Sequence, residues 1–139
     1  MKRYSLLSAM VALFATATTA LAQPDTLWTK TFGSWGHDFC YSVEQTNDGG
    51  YILGGFTAYT PESSYYMYLV KTGSQGNLQW QQIYGIAYWR SICYSIQQTA
   101  DGGFILGGYN EVATYPIERM YLVKTDHQGN FQWQETCGE

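Results

Sequence analysis

One stretch of this sequence occurs twice, and the two copies lie 53 residues apart. Residues 40–56 match residues 93–109, and residues 67–81 match residues 120–134, with 24 of 32 aligned positions identical. Three shorter segments also match one another; they begin at Trp28, Trp80 and Trp133. A repeat of this length indicates units that stack, because one unit alone cannot bury its apolar surface.

Each repeat contains four short segments that read as β-strands. In the first repeat they are residues 39–46, 51–58, 66–72 and 78–84. They are rich in β-branched and aromatic residues and are separated by two glycine-containing turns and by a loop at 60–64 that contains Pro61. No window outside the first 22 residues shows helical periodicity over a useful length.

Two glycine motifs predict local backbone features. The segment 47–50, Asn-Asp-Gly-Gly, is a tight-turn signal, because these residues tolerate positive φ. The pair at 54–55, Gly-Gly, suggests a bulge or a close backbone approach within a strand. In the preceding strand, simple alternation predicts Tyr41 and Val43 on one face and residues 40 and 42 on the other.

Four short antiparallel strands per unit of about 50 residues are typical of a propeller blade. The predicted fold class is all-β, with two four-stranded antiparallel propeller-like blades that form a partial β-propeller. Another repetitive β stack is the alternative. The expected organisation is a signal peptide at 1–22, then a β-propeller-like repeat region at 23–139. The region divides into a leading strand at 27–33, repeat one at 34–85 and repeat two at 86–138.

The first 22 residues have the features of a bacterial-type export signal. Lys2 and Arg3 form a positive start, residues 6–15 are apolar except for one serine, and Ala20-Leu21-Ala22 offers a cleavage site. We therefore expect a secreted or cell-surface protein, exported by an N-terminal signal peptide, with no membrane span after its removal.

Charge excludes one large class of partners. Removal of the signal leaves five basic and eleven acidic residues, a net charge of −6. Nucleic-acid binding depends on neutralising phosphates, so no nucleic-acid partner is expected.

The three cysteines, Cys40, Cys93 and Cys137, are an odd number for an exported chain. Cys40 and Cys93 occupy equivalent positions in the two repeats, and equivalent positions usually lie too far apart for a disulfide. Small buried thiols are the favoured interpretation, with a disulfide or a metal site as alternatives.

The repeat motifs resemble those of a known class of bacterial proteins. The pattern S-[VI]-x-Q-T-x-D-G-G-[YF]-I-L-G-G, followed by Y-L-V-K-T-x-x-x-G-N-x-x-W, is similar to tandem repeats in large secreted and surface proteins. These proteins are often type IX secretion substrates and are expected to be β-propellers, with no shared catalytic residues. The turn at 124–133 is also similar to the tryptophan-docking motif of quinoprotein propellers and to Asp-box hairpins. In the first repeat Gly73 replaces the turn aspartate, which favours a structural role over a ligand site.

Two blades cannot close a propeller, which needs about four to eight. The expected partners are therefore other blades of the same repeat type or copies of the chain itself, and possible further partners are a protein or glycan at the cell surface. A fragment of a larger protein and a short protein that assembles from several copies are both open interpretations.

Aromatic residues are the candidate binding groups. Exposed rings can stack on sugars or anchor a protein interface, but they can also cover blade seams. The candidate aromatic rim consists of Trp35, Tyr59, Tyr65, Tyr88, Trp89 and Tyr115. The three recurring tryptophans are assigned to packing, and Asp48 and Asp101 to bonding within their own turns.

The residues therefore favour a non-catalytic module with a structural, adhesive or protein-interaction role. No catalytic residue, cofactor or metal site is predicted. The alternatives are a glycan-binding module that uses the aromatic loops and an accessory part of a secreted glycoside hydrolase.

Overall fold

The computed structural model describes residues 27–33, 36–60, 64–112 and 115–137, which form eight β-strands and no helix. The first sheet contains β1 (His37–Gln45), β2 (Tyr51–Ala58), β3 (Tyr66–Thr72) and β4 (Leu78–Tyr84). The second sheet contains β5 (Trp89–Gln98), β6 (Phe104–Val112), β7 (Tyr115–Thr125) and β8 (Phe131–Cys137). The predicted all-β class with two four-stranded antiparallel sheets is confirmed.

Both sheets are simple meanders in which every strand pairs with its neighbour in sequence. The strand orders are β1-β2-β3-β4 and β5-β6-β7-β8, and all pairs are antiparallel. Each sheet is consistent with a blade-like unit. The predicted bounds of β2, β3 and β4 match the structure, whereas β1 begins two residues earlier than predicted, at His37.

A β-bulge in β1 changes the predicted alternation. Cys40 pairs with Gly55 and Ser42 with Gly54, so Tyr41 is an extra residue without a partner in the ladder. Cys40 and Val43 consequently lie on the same face, and the prediction that they lie on opposite faces is wrong. The second repeat has the same bulge between Cys93 and Ser95. A bulge inserts one residue and shifts the register of everything after it.

The glycine pair explains how the bulge fits. A Cβ atom on Gly55 would lie 1.7 Å from the carbonyl oxygen of Phe39, in the facing strand. In the second repeat a Cβ atom on Gly108 would lie 1.8 Å from the carbonyl oxygen of Ile92. The close backbone approach predicted from the sequence is therefore present in both sheets.

The aspartates of the β1–β2 and β5–β6 turns bond their own turns, as predicted. The Gly50 amide donates to Asp48 Oδ1 at 3.0 Å, and the buried Lys71 donates to Asp48 Oδ2 at 2.8 Å. Asp101 and Lys124 repeat this arrangement at 2.9 Å. The hydrogen bond from Lys71 holds the pKa of Asp48 well below its usual value. These groups tie each hairpin turn to the third strand of its sheet.

Each sheet has two distinct faces. We call one the methionine face; it carries Ile52, Phe56, Met67, Leu69, Trp80 and Tyr84 in the first sheet and their counterparts in the second. We call the other the valine face; it carries Cys40, Val43, Leu53, Tyr68 and Val70 in the first sheet and their counterparts in the second.

The main core lies between the two sheets, where the methionine face of the first packs on the valine face of the second. Its members are Ile52, Met67, Leu69, Tyr84, Cys93, Ile96, Phe104, Leu106, Tyr121 and Val123. Burial of apolar side chains between sheets is the dominant favourable term in such a fold.

The leading segment, residues 27–33, lies outside both four-stranded sheets. The sequence predicts a strand here, but these residues do not form a strand. The segment nevertheless contacts the first sheet, since the ring centroids of Trp28 and Tyr51 are 5.8 Å apart.

Candidate functional site

The methionine face of the second sheet is exposed, although its counterpart in the first sheet is buried. Met67 is 0% exposed and the equivalent Met120 is 68% exposed. Leu69 is 0% exposed and the equivalent Leu122 is 37% exposed. Identical side chains thus have opposite environments, because a sheet packs on the first methionine face and no described residue packs on the second in that way.

The valine face shows the reverse asymmetry along the first strand of each sheet. Ile96 is 5% exposed, whereas the equivalent Val43 is 63% exposed. Cys93 is buried and Cys40 is exposed. The two outer faces of this pair of sheets are therefore the two complementary halves of the interface that lies between them.

At the outer edge of the contact between the two sheets, Trp80 packs in a position formed by Phe104 and Gly129, which we call the tryptophan seat. Trp80 of β4 lies 5.8 Å from Phe104, ring centroid to centroid, with an interplanar angle of 63°. The six-membered ring of Trp80 lies 2.8 Å from the position that a Cβ atom would take on Gly129. Gly129 has a φ of 79°, so a side chain at this turn would be both strained and in collision with the ring.

The leading segment fills the equivalent seat on the first sheet. Trp28 lies 5.8 Å from Tyr51 at an interplanar angle of 60°, and its ring is 2.8 Å from a Cβ position on Gly76. Tyr51 and Gly76 are the counterparts of Phe104 and Gly129. The packing role predicted for Trp28 and Trp80 is confirmed. The same prediction is not confirmed for Trp133, which is 44% exposed, and no described residue forms its seat.

Polar contacts also cross between the two sheets. The backbone amides of Ile96 and Gln98 in β5 donate to Ser42 Oγ at 3.3 Å and to Glu44 Oε2 at 3.1 Å. The Tyr84 hydroxyl donates to the carbonyl oxygen of Gly129 at 2.5 Å. Burial raises the pKa of Tyr84 well above its usual value. These bonds fix the register of one sheet against the other, which apolar contacts alone do not do.

The structure describes the side chains of four of the six residues of the candidate aromatic rim, and these four differ in exposure. Tyr59 and Tyr88 are largely exposed, and Tyr88 has a φ of 68°, which is strained for a residue with a side chain. Tyr65 and Trp89 are partly buried at the seam between the sheets, where the Tyr65 amide donates to the Trp89 carbonyl at 3.1 Å. Trp35 lies outside the described residues. Tyr115 is in β7, but its side chain is outside the described part.

Tyr65 also belongs to a continuous band of aromatic residues that sequence reasoning missed, in which Tyr41 and Phe56 are linked at a centroid distance of 6.0 Å. Phe56 stacks on both Phe39 and Tyr65 with centroid distances of 4.9 Å, and Tyr41 lies 5.2 Å from Tyr94. Tyr41 and Tyr94 are the extra residues of the two bulges and are half exposed. A bulge aims its extra side chain away from the regular alternation. The repetition of Cys-Tyr-Ser before each Gly-Gly pair was the available signal.

The described residues contain no group of three or more His, Cys, Asp or Glu side chains that could hold a metal ion. Among the same residues, no helix is long and apolar enough to cross a membrane. No protein-family model matches the sequence, and no curated protein matches it. The candidate functional site is therefore defined by geometry, as the exposed methionine face of the second sheet and the exposed β1 part of the valine face of the first.

The three cysteines are free thiols in different environments, and only Cys93 fits the prediction of a buried thiol. Burial raises the pKa of Cys93 to about 12, because the thiolate would be desolvated.

We expect maleimide or Ellman's reagent to modify Cys40 and Cys137 rapidly in the native protein, and Cys93 only after unfolding. Mass spectrometry of labelled peptides measures this directly. Rapid labelling of Cys93 in the native state would contradict the buried core between the sheets.

Proposed function

We propose that this chain is a non-catalytic β-propeller-type repeat module of a secreted or cell-surface protein. Its role is structural, adhesive or protein-interacting, and it works by docking further blades onto its exposed sheet faces. The partners are blades of the same repeat type, on the same or another chain. The export signal at 1–22 supports the location, and the repeats support the blade assignment.

The exposure of Met120 and Leu122 carries this proposal. Their equivalents Met67 and Leu69 lie fully buried in the core between the sheets. An exposed apolar patch of this kind marks an interaction surface when it is contiguous and surrounded by polar residues. Within the same chain, the core between the two sheets shows the contact that such a patch can make with a valine face.

The test is self-association of the mature chain, measured by sedimentation velocity over a concentration series. We expect the wild-type protein to form species larger than a monomer as its concentration rises. Met120→Lys places a charge on the methionine face, and burying that charge is costly, so this variant should remain monomeric at concentrations where the wild type associates.

The matched control is Thr136→Lys, which adds the same charge to an exposed position on the neighbouring strand β8. Thr136 pairs with Tyr121, a residue of the valine face, so its side chain does not lie on the methionine face. The control should associate like the wild type. A wild-type chain that stays monomeric at all concentrations, or equal behaviour of the two variants, would contradict the proposal.

Glycan binding is the second candidate, and it is favoured by the exposed rings of Tyr59, Tyr88 and the Tyr41–Tyr94 pair. Aromatic rings of this kind can stack on sugar faces. A glycan array with the wild-type protein separates the two functions. A signal that is lost in Tyr88→Ala but kept in Met120→Lys would favour glycan binding as the primary role.

A further inference from the structure

The leading segment occupies, on the first sheet, the position that β4 of the first sheet occupies on the second sheet. Relative to the first sheet, Trp28 has the ring distance, the tilt and the glycine contact that Trp80 has relative to the second sheet. Lys30 Cγ lies 3.1 Å from the Cβ position of Gly76, just as Gln82 Cγ lies 3.1 Å from that of Gly129. Residues 27–33 therefore occupy the place that the outer strand of a preceding sheet would take.

The rest of that place is only partly filled. A cleft of about 190 Å³ separates the leading segment from the inner strands of the first sheet. Its lining combines apolar residues with two charged ones; it includes Phe32, Leu53, Tyr68, Val70, Cys40, Lys30 and Asp38. Tyr68 and Val70 are already buried, whereas Cys40 is exposed. In the second sheet the counterparts Cys93, Leu106 and Tyr121 are fully buried under the methionine face of the first sheet. The apolar part of the cleft thus lies where a methionine face lies on the second sheet.

We propose that a second copy of this chain docks head to tail on the first sheet, with its Trp133 replacing Trp28 in the seat on Gly76. This inference rests on the proposed function and specifies its partner and geometry. The methionine face of the incoming second sheet covers the valine face of the receiving first sheet. Met120 and Leu122 enter the cleft, as Met67 and Leu69 enter the contact within one chain.

The polar groups needed for this contact are also present in the chain. Within one chain, Glu44 and Ser42 accept from the amides of Gln98 and Ile96. Between copies the equivalent acceptors are Gln97 and Ser95 of the incoming chain, and the equivalent amides are those of Gln45 and Val43. An amide oxygen and a hydroxyl oxygen both accept hydrogen bonds from backbone amides, so the register is preserved.

The leading segment then competes with the incoming chain for the tryptophan seat of the first sheet. Trp28 holds the seat by contacts within its own chain, whereas Trp133 must reach it from another molecule. Docking of a second copy releases Trp28 and exposes it, which weakens the assembly. The contact is heterologous, so repeated docking builds rings or filaments rather than closed dimers.

A cysteine trap tests the geometry. Within one chain a Cβ atom on Gly54 would lie 3.0 Å from Cys93 Sγ, which is close to the Cβ-to-far-sulfur separation across a disulfide with an S–S length of about 2.04 Å. The equivalent pair between copies is Gly107 and Cys40. In a Cys137→Ala background, we expect Gly107→Cys to give a ladder of disulfide-linked oligomers on a non-reducing gel. Adding Cys40→Ala should abolish the ladder, and Gly54→Cys should give only an internal disulfide.

Two tryptophan variants then distinguish competition from simple structural support. Trp133→Ala removes the incoming anchor and should lower the initial cross-linking rate by roughly tenfold or more, as expected for an aromatic hot spot. Trp28→Ala vacates the seat and should raise the rate. A loss of folding would lower both rates, so the opposite signs are specific to the proposal. Sedimentation of the two variants without the added cysteine gives the same comparison and does not depend on how Gly107→Cys folds.

The outcomes separate this inference from the proposed function. If the wild type self-associates and Met120→Lys does not, but no Cys40-dependent ladder forms, the docking geometry is wrong and the proposed function stands. If Trp28→Ala and Trp133→Ala both reduce association, the competition is wrong. If the wild type never associates, the proposed function itself fails.

Discussion

Met67→Ala should destabilise the protein by about 2–5 kcal/mol, whereas Met120→Ala should change its stability by no more than about 0.5 kcal/mol. The two methionines occupy the same position in the two repeats. Met67 lies in the core between the sheets, so its removal leaves a cavity, and Met120 is mostly exposed. The free energies of unfolding can be compared by urea denaturation, with the midpoint and slope fitted for each variant.

This comparison needs a protein concentration at which sedimentation shows a monomer, because association through the exposed face would stabilise the wild type and mask the difference. Far-UV circular dichroism confirms that both variants retain the sheets before unfolding. Equal losses for the two substitutions would mean that the two repeats have the same environment, contrary to the packing of one sheet on the other.

Gly55→Ala should destabilise the protein by about 3 kcal/mol, at the upper end of the usual cost of overpacking. The added methyl would collide with the carbonyl oxygen of Phe39, and a backbone atom in a paired strand cannot move aside as a flexible side chain can. Gly108→Ala should have a similar effect, because Ile92 provides the same collision in the second sheet. Thermal or urea unfolding of the purified variants gives the change in stability.

The matched control is Gly107→Ala. Gly107 precedes Gly108 in β6 and lies on the opposite face of that strand. The nearest atom to a Cβ there is Leu122 Cδ2 at 3.7 Å, an ordinary contact. Alanine should be neutral or stabilising by up to about 1 kcal/mol, since glycine in a strand loses more conformational freedom on folding. If Gly55→Ala were as harmless as Gly107→Ala, the close approach at the bulge would be wrong.

Much of the local structure could be read from the sequence because it depends on neighbouring residues. Three strands of the first repeat have the predicted bounds, since each is bordered by at least one glycine turn whose chemistry is local. Asp48 bonds Gly50, two residues away, as an aspartate in a turn is expected to do. The bulge at Tyr41 was only partly foreseen. Gly54-Gly55 indicated a close approach, but the strand that carries the extra residue is set by pairing between strands.

The candidate aromatic rim illustrates what local reasoning cannot reach. Tyr59 and Tyr65 look alike in the sequence, yet Tyr59 is exposed and Tyr65 stacks on Phe56 at the seam between the sheets. Arg90 lies over the Tyr65 ring, 5.2 Å from its centroid. Such contacts join residues that are distant in the chain, so no pattern of neighbouring residues encodes them.

The residue pattern is enough to show that the chain is built from two equivalent four-stranded units, because the spacing of strand and turn residues is repeated along it. It does not show which copy of each apolar side chain is buried, because Met67 and Met120 have the same neighbours in sequence. Burial follows from the packing of the sheets, since it depends on what packs against a face and not on the face itself. The direction of packing, with a methionine face on a valine face, leaves the second methionine face and the β1 part of the first valine face exposed, and these define the candidate site.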